Sequence, residues 1–172
     1  MKSKLTTTSI CRIAFCLSIM IGSQFIASNK SYAQEITIEA KFIVQDGRIN
    51  KVDVSELLIK ENAYLAVYTI KGVEGAHFAC VRPESNTQSY GNIFNLVEET
   101  SEATDKNYKI ETYKFKWSYV NSYDTKKGTA NVILTKITKD VGIAFECKVI
   151  PENLDVAVYK GYMEGSLQSL EN

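Results

Sequence analysis

The feature that most constrains the fold is a two-residue alternation of apolar and polar side chains. It is clearest around Thr37, Glu39 and Lys41, where the intervening apolar residues are Ile36, Ile38, Ala40, Phe42 and Val44. Because successive side chains of a β-strand point to opposite faces, this pattern predicts a half-buried strand.

Similar patterns recur along the chain between turn-forming residues. Asp46-Gly47 predicts a tight hairpin turn, since Asp-Gly is a strong two-residue hairpin signal. A return strand is predicted from Ile49 to Ser55, continuing less regularly to Ile59. Further predicted strands are 63–70, the segment carrying Cys80, 108–120, 129–137, 141–150 and 154–162, with 93–97 either a short strand or one helical turn. Polar loops are predicted at 84–91, 98–107 and 121–128.

This arrangement predicts an all-β fold of about eight or nine strands. Short connections favour antiparallel neighbours, and both a β-sandwich and an up-and-down β-barrel fit the pattern. The predicted fold is a single domain over residues 34–172, a length that suits one hydrophobic core.

Residues 1–33 are predicted to be a secretory signal peptide that is removed after Ala33. A positively charged start precedes the apolar run 13–26, which is too short for the roughly 20 residues of a membrane span. We therefore expect an exported protein, periplasmic or extracellular, with no integral membrane association after cleavage. The residues that carry this prediction are Lys2, Lys4 and Arg12 in the charged start and small Ser31 and Ala33 before the cleavage site.

Cleavage changes the charge balance of the chain. The full sequence has 20 basic and 20 acidic residues, and residues 1–33 hold four of the basic ones and none of the acidic ones. The mature chain therefore carries a formal net charge of −4. This charge does not favour nucleic acid as a partner, because nucleic-acid binders usually present a basic surface.

Two cysteines, Cys80 and Cys147, remain in the mature chain. Each ends a G-x-x-F-x-C stretch in which Phe and Cys share a strand face. In an exported protein, an even pair of this kind predicts a disulfide.

Aromatic residues alternate along the predicted strand 108–120. Tyr113, Phe115, Trp117 and Tyr119 share one face, and Tyr123 follows in the next loop. Two interpretations stay open: the aromatic residues fill the core, or they form a platform that stacks on a sugar or an apolar ligand.

No catalytic, metal or cofactor site is predicted. His77 is the only histidine, and on a strand it faces away from Cys80, three residues later. One histidine and two mature cysteines cannot supply a zinc site with two histidines or four cysteines. The common nucleophile, phosphate-binding and dinucleotide-binding motifs are absent from the sequence.

These observations predict a non-enzymatic binding or interaction protein outside the cytoplasm. Its partner would be a protein, a glycan or another envelope component. One alternative is a lipocalin-like carrier of a small apolar ligand, although the G-x-W signature of lipocalins is absent near the mature N-terminus. A second alternative is a small hydrolase that uses carboxylates.

Overall fold

The chain forms a closed antiparallel β-barrel of eight strands with one extra short strand. The computed structural model describes residues 34–103, 108–152 and 155–165, so the signal-peptide prediction lies outside the described residues. Within these ranges the strands are β1 (Ile36–Ile49), β2 (Val52–Asp53), β3 (Tyr64–Ile70), β4 (Val73–Arg82), β5 (Thr87–Ala103), β6 (Tyr108–Asn121), β7 (Lys127–Lys139), β8 (Gly142–Pro151) and β9 (Ala157–Met163), and the helix is α1 (Ser55–Lys60).

From β3 onward, each strand pairs with the next in the chain, and β1 pairs with β3 on one side and with β9 on the other. The pairing from Phe42↔Met163 to Ile49↔Ala157 closes the barrel. The all-β antiparallel prediction is confirmed, and of the two architectures that the sequence left open, this pairing makes the fold an up-and-down barrel. None of the described helices is long and apolar enough to cross a membrane.

Aromatic rings fill the interior of the barrel. Phe78 packs edge-on against Phe115 and Trp117 at centroid distances of 5.5 and 5.1 Å, and Phe42 lies 5.2 Å from Phe145. The indole Nε1 of Trp117 donates to the Phe78 carbonyl oxygen at 3.0 Å, so the one buried polar atom of this ring is paired. The barrel interior is therefore a packed core around these rings.

The predicted hairpin turn at Asp46-Gly47 is wrong, because both residues lie inside β1. The chain turns instead at Asn50 and Lys51, which have φ angles of 52° and 71°. Gly47 is needed for a different reason: a Cβ at this position would lie 2.1 Å from Cδ1 of Leu58. The glycine makes room for the helix to pack against the strand.

The predicted return strand from Ile49 to Ile59 is also wrong for most of its length. Only the two residues of β2 pair with β1, and the chain then enters α1. The carboxylate of Asp53 accepts hydrogen bonds from the backbone N and the Oγ of Ser55 at 2.9 and 2.6 Å, which favours a turn into the helix. Leu58 is then buried in the main core, and this contact stabilises the helix.

The region predicted as a polar loop, 98–107, is strand up to Ala103. Here β5 pairs with β6, and the Nζ of Lys114 on β6 lies 2.7 Å from Oε1 of Glu99. The loop predicted at 84–91 is likewise shorter, because β5 already begins at Thr87. Cross-strand partners therefore make strands of segments whose own composition favours loops.

The packing of Gly47 against Leu58 leads to a stability prediction. We expect Gly47→Ala to lower the free energy of unfolding by about 1–3 kcal/mol, because the added methyl pushes a buried leucine out of its place. We expect Leu58→Ala alone to cost about 2–5 kcal/mol. In the double variant, the loss of stability should be smaller than the sum of the two single losses. The truncated side chain at position 58 no longer contacts the methyl group added at position 47.

Urea unfolding of residues 34–172 and of the three variants measures these changes in the free energy of unfolding. Strict additivity of the two losses would contradict the contact. Val141→Ala, an exposed apolar position in the β7–β8 turn, serves as the control and should change stability little.

Candidate functional site

A pocket of about 180 Å³ lies at the end of the barrel where α1 is found. It is bounded by the last residues of β1 and β4 and the first residues of β3, β5 and β9. Most of its wall is apolar or aromatic, and its polar residues come from β4 and β5. The lining residues are Val44, Ile49, Leu58, Ala63, Tyr64, Leu65, Cys80, Val81, Arg82, Thr87, Gln88, Ser89, Tyr123 and Tyr159. We call it the α1-end pocket.

One side of this pocket is held by contacts between the end of α1 and the β4–β5 turn. Nε of Arg82 lies 3.5 Å from Oε2 of Glu61, and the Oγ of Ser85 donates to the same carboxylate at 3.1 Å. Nδ2 of Asn62 donates to Oε1 of Glu84 at 2.9 Å. Arg82 therefore brings a positive charge to the pocket that Glu61 already balances.

The opposite side is held by hydrogen bonds between the start of β5 and the β6–β7 turn. The backbone N of Gln88 donates to Oγ of Ser122 at 2.9 Å, and the backbone N of Ser122 donates to the Gln88 carbonyl oxygen at 2.8 Å. The Oγ of Ser89 donates to Oδ1 of Asn121 at 2.7 Å. These bonds position the turn that carries Tyr123.

Gln88 lines the pocket and carries an unused hydrogen-bond donor. The residue is only 4% exposed, and its Nε2 atom is buried without a partner among the described residues. A buried amide nitrogen that lacks an acceptor costs about 1–3 kcal/mol, so such groups are uncommon in folded proteins. An acceptor oxygen within reach of this atom would supply the missing hydrogen bond.

The predicted disulfide between Cys80 and Cys147 is wrong, because both residues are free thiols. Each side chain points into the barrel, as the shared face of Phe and Cys predicted. However, β4 and β8 are four strands apart in a ring of eight, so the two strands lie on opposite sides of the barrel. A disulfide needs Cα atoms within about 7 Å, which opposite walls of such a barrel do not provide.

Burial holds Cys80 and Tyr159 of the pocket wall, and Cys147 nearby, in their neutral forms. Burial raises the pKa of the Cys80 thiol to about 12, and burial also raises the pKa of Cys147, with the nearby Cys80 adding to the effect. Burial likewise raises the pKa of the Tyr159 hydroxyl. At neutral pH the thiols are therefore protonated, and a protonated thiol is a poor nucleophile.

The five predicted aromatic site residues do not form one site, although the ring centroids of Trp117 and Tyr119 lie 4.7 Å apart. Phe115 and Trp117 are buried in the core, at 5% and 2% exposure. Tyr113 lies further along β6, below Nζ of Lys136 at 5.7 Å. Tyr119 is half-buried and lines a second, more open depression with Lys127 and Glu152, while the exposed Tyr123 lines the α1-end pocket.

His77 faces away from Cys80, as predicted, and stacks on Tyr68 at 5.2 Å on the outer side of the sheet. Within the described ranges, no group of three or more His, Cys, Asp or Glu side chains is arranged to hold a metal ion.

Sequence reasoning missed the polar residues of the pocket. Gln88 falls in a stretch that reads as a loop, and Arg82 and Tyr159 follow no motif. Only the closure of the barrel brings β5 and β9 to the same pocket. The one useful signal was Tyr123, which the sequence placed in a loop beside an aromatic strand.

Comparisons with family models, with curated proteins and with solved structures found no match to this chain. Its geometry is therefore the basis for the function proposed below.

The free thiols lead to a reactivity prediction. With a pKa of about 12, Cys80 has only about one part in 10,000 thiolate at pH 8, so we expect slow reaction with a disulfide reagent in the native state. Unfolding in guanidinium should expose two fast-reacting thiols in residues 34–172. Intact mass measured with and without reductant checks the bond itself: a gain of 2 Da on reduction would contradict the free-thiol assignment.

Proposed function

We propose that this chain is an exported, non-enzymatic binding protein whose α1-end pocket takes a small molecule. The ligand would have an apolar body and a head that accepts hydrogen bonds. The observation that carries this proposal is the buried Nε2 of Gln88, a donor without a partner beside an otherwise mostly apolar wall.

The size of the pocket limits the ligand. A dry cavity of about 150 Å³ is enough to hold benzene, so about 180 Å³ suits a single ring or a short branched chain. A lipocalin-like carrier would enclose its ligand deep in the barrel. Here aromatic side chains pack that interior, which supports a ligand bound at the end of the barrel instead. The proposed ligand keeps the small apolar body of that alternative and adds a polar head.

The chemistry of the wall supports binding over catalysis. Among the described residues that line the pocket there is no Asp, Glu or His. A hydrolase working through carboxylates needs two such groups held across a cleft. Cys80, which also lines the pocket, is held protonated by burial.

Export is the second part of the proposal, and it rests on residues 1–33. We expect the full chain, expressed in a bacterium, to appear outside the cytoplasm. Its intact mass should be that of a chain whose first residue is Gln34. Ala33→Leu should block this processing, because the position before the cleavage site needs a small residue. A product that stays in the cytoplasm, or whose processed form begins elsewhere, would contradict the prediction.

The ligand prediction is tested with three ring probes on ¹⁵N-labelled residues 34–172. We expect benzoate and benzamide to bind more tightly than toluene, with shifts at the amides of Cys80 and Ser89. Gln88→Met keeps the size of the side chain but removes the donor, so it should weaken the two oxygen-bearing probes about 2- to 12-fold and leave toluene unchanged.

Gln45→Met on β1 makes the same chemical change at an exposed position and should alter none of the three affinities. Equal loss for toluene and benzoate in Gln88→Met would mean that the donor plays no part. Shifts spread over the surface, instead of at the pocket, would reject the site.

A further inference from the structure

We propose that the far half of β5 is a docking edge for an extended, positively charged peptide segment, which adds to the sheet as one more strand. This edge consists of residues 93–103, and we call it the β5 edge. It is separate from the α1-end pocket, since Leu96 lies seven residues, or about 23 Å of strand, beyond Ser89.

The pairing of β5 leaves this edge open. Its β4 partner extends only from Arg82↔Thr87 to His77↔Asn92. From Ile93 to Ala103, β5 pairs with β6 alone among the described strands. On the side away from β6 the backbone groups that point outward are available to another chain, and unpaired edges of this kind accept added strands.

Apolar side chains are exposed along the same stretch. Phe94, Leu96 and Val97 are 38%, 55% and 53% exposed. Asn95, with a φ of 54°, lies in the irregularity where the register with β6 shifts. The exposed apolar residues can contact alternate side chains of an added strand, while the backbone supplies its hydrogen bonds.

Charge selects the kind of partner. Glu98 and Glu99 follow the apolar residues; Nζ of Lys114 on β6 contacts both carboxylate oxygens of Glu99, and among the described residues no ion pair involves Glu98. Glu99 is 57% exposed even though it pairs with Lys114 on the other side. The mature chain as a whole is also acidic, so a basic segment is attracted to this edge.

The same charges disfavour a second copy of the chain. Two β5 edges in antiparallel register would bring the glutamates of one copy near those of the other, and like charges across strands destabilise a sheet. A basic extended segment from a different protein therefore fits the edge better.

The test uses residues 34–172 and fluorescein-labelled heptapeptides, with affinity measured by anisotropy at low salt. The probe is Thr-Val-Lys-Val-Lys-Val-Thr. One comparison peptide replaces both lysines by glutamate, and the other keeps the lysines but carries N-methyl groups along one backbone edge. We expect the basic peptide to bind at least tenfold more tightly than either comparison peptide, and to slow amide hydrogen exchange within 93–103.

Charge reversal provides the matched variants. Glu98→Lys with Glu99→Lys should weaken the basic peptide at least tenfold and improve binding of the acidic peptide. The control variant, Glu56→Lys with Glu146→Lys, makes the same change in total charge at two other exposed positions. Glu146 also lies on a strand and pairs with a lysine, as Glu99 does. This variant should change the affinity less than threefold. Circular dichroism confirms that both variants keep the fold.

Several outcomes would overturn the proposal. Equal binding of the N-methylated peptide would mean attraction by charge without strand addition, and equal loss in both double variants would mean that the edge is not the site. Absence of binding by the basic peptide would reject the partner class. Concentration-dependent dimers that Glu98→Lys enhances and the peptide does not disrupt would make a second copy the occupant.

Discussion

The pairing of β1 with β9 is the constraint on which the rest of the structure depends. It joins the first and last strands and turns a meander of hairpins into a closed ring. Gly161 of β9 makes the close approach possible, because a Cβ there would lie 1.9 Å from the carbonyl oxygen of Ile43. Register shifts in β1 after Ile38 and after Val44 let one strand pair with β3 along its first half and with β9 along its second.

Closure decides where binding chemistry is possible. Side chains on inner faces point toward a common axis, and five aromatic rings occupy that space, so the interior is a core. Polar residues reach a cavity only where strands end, and at the α1 end the burial of Leu58 and the hydrogen bonds around Gln88 shape one. Closure also removes most free edges, but β5 continues beyond Asn92, where its pairing with β4 ends, and keeps an edge open there.

The accuracy of the sequence predictions followed the range of the interactions involved. The inward faces of β4, β6 and β8 were predicted correctly because side-chain alternation is a local property of a strand. The turn at Asp46-Gly47 was predicted wrongly because its glycine serves a contact with α1, and local turn statistics contain no information about that contact. The length of β5 was underestimated because Glu98 and Glu99 are polar, and the strand depends on its partner β6 instead.

The disulfide shows the same limit in three dimensions. Cys80 and Cys147 share a spacing with phenylalanine and both point inward, and in a two-layer sandwich that would place them within reach of each other. In a ring of eight strands, β4 and β8 lie on opposite sides of the barrel, and both thiols are free. By itself the sequence determined the all-β class, the inward faces and the neighbour-to-neighbour pairing, because these follow from alternation and short connections. Only the tertiary structure decided the closure, the distance between the thiols, the pocket around Gln88 and the open edge of β5, because each depends on contacts between residues far apart in the chain.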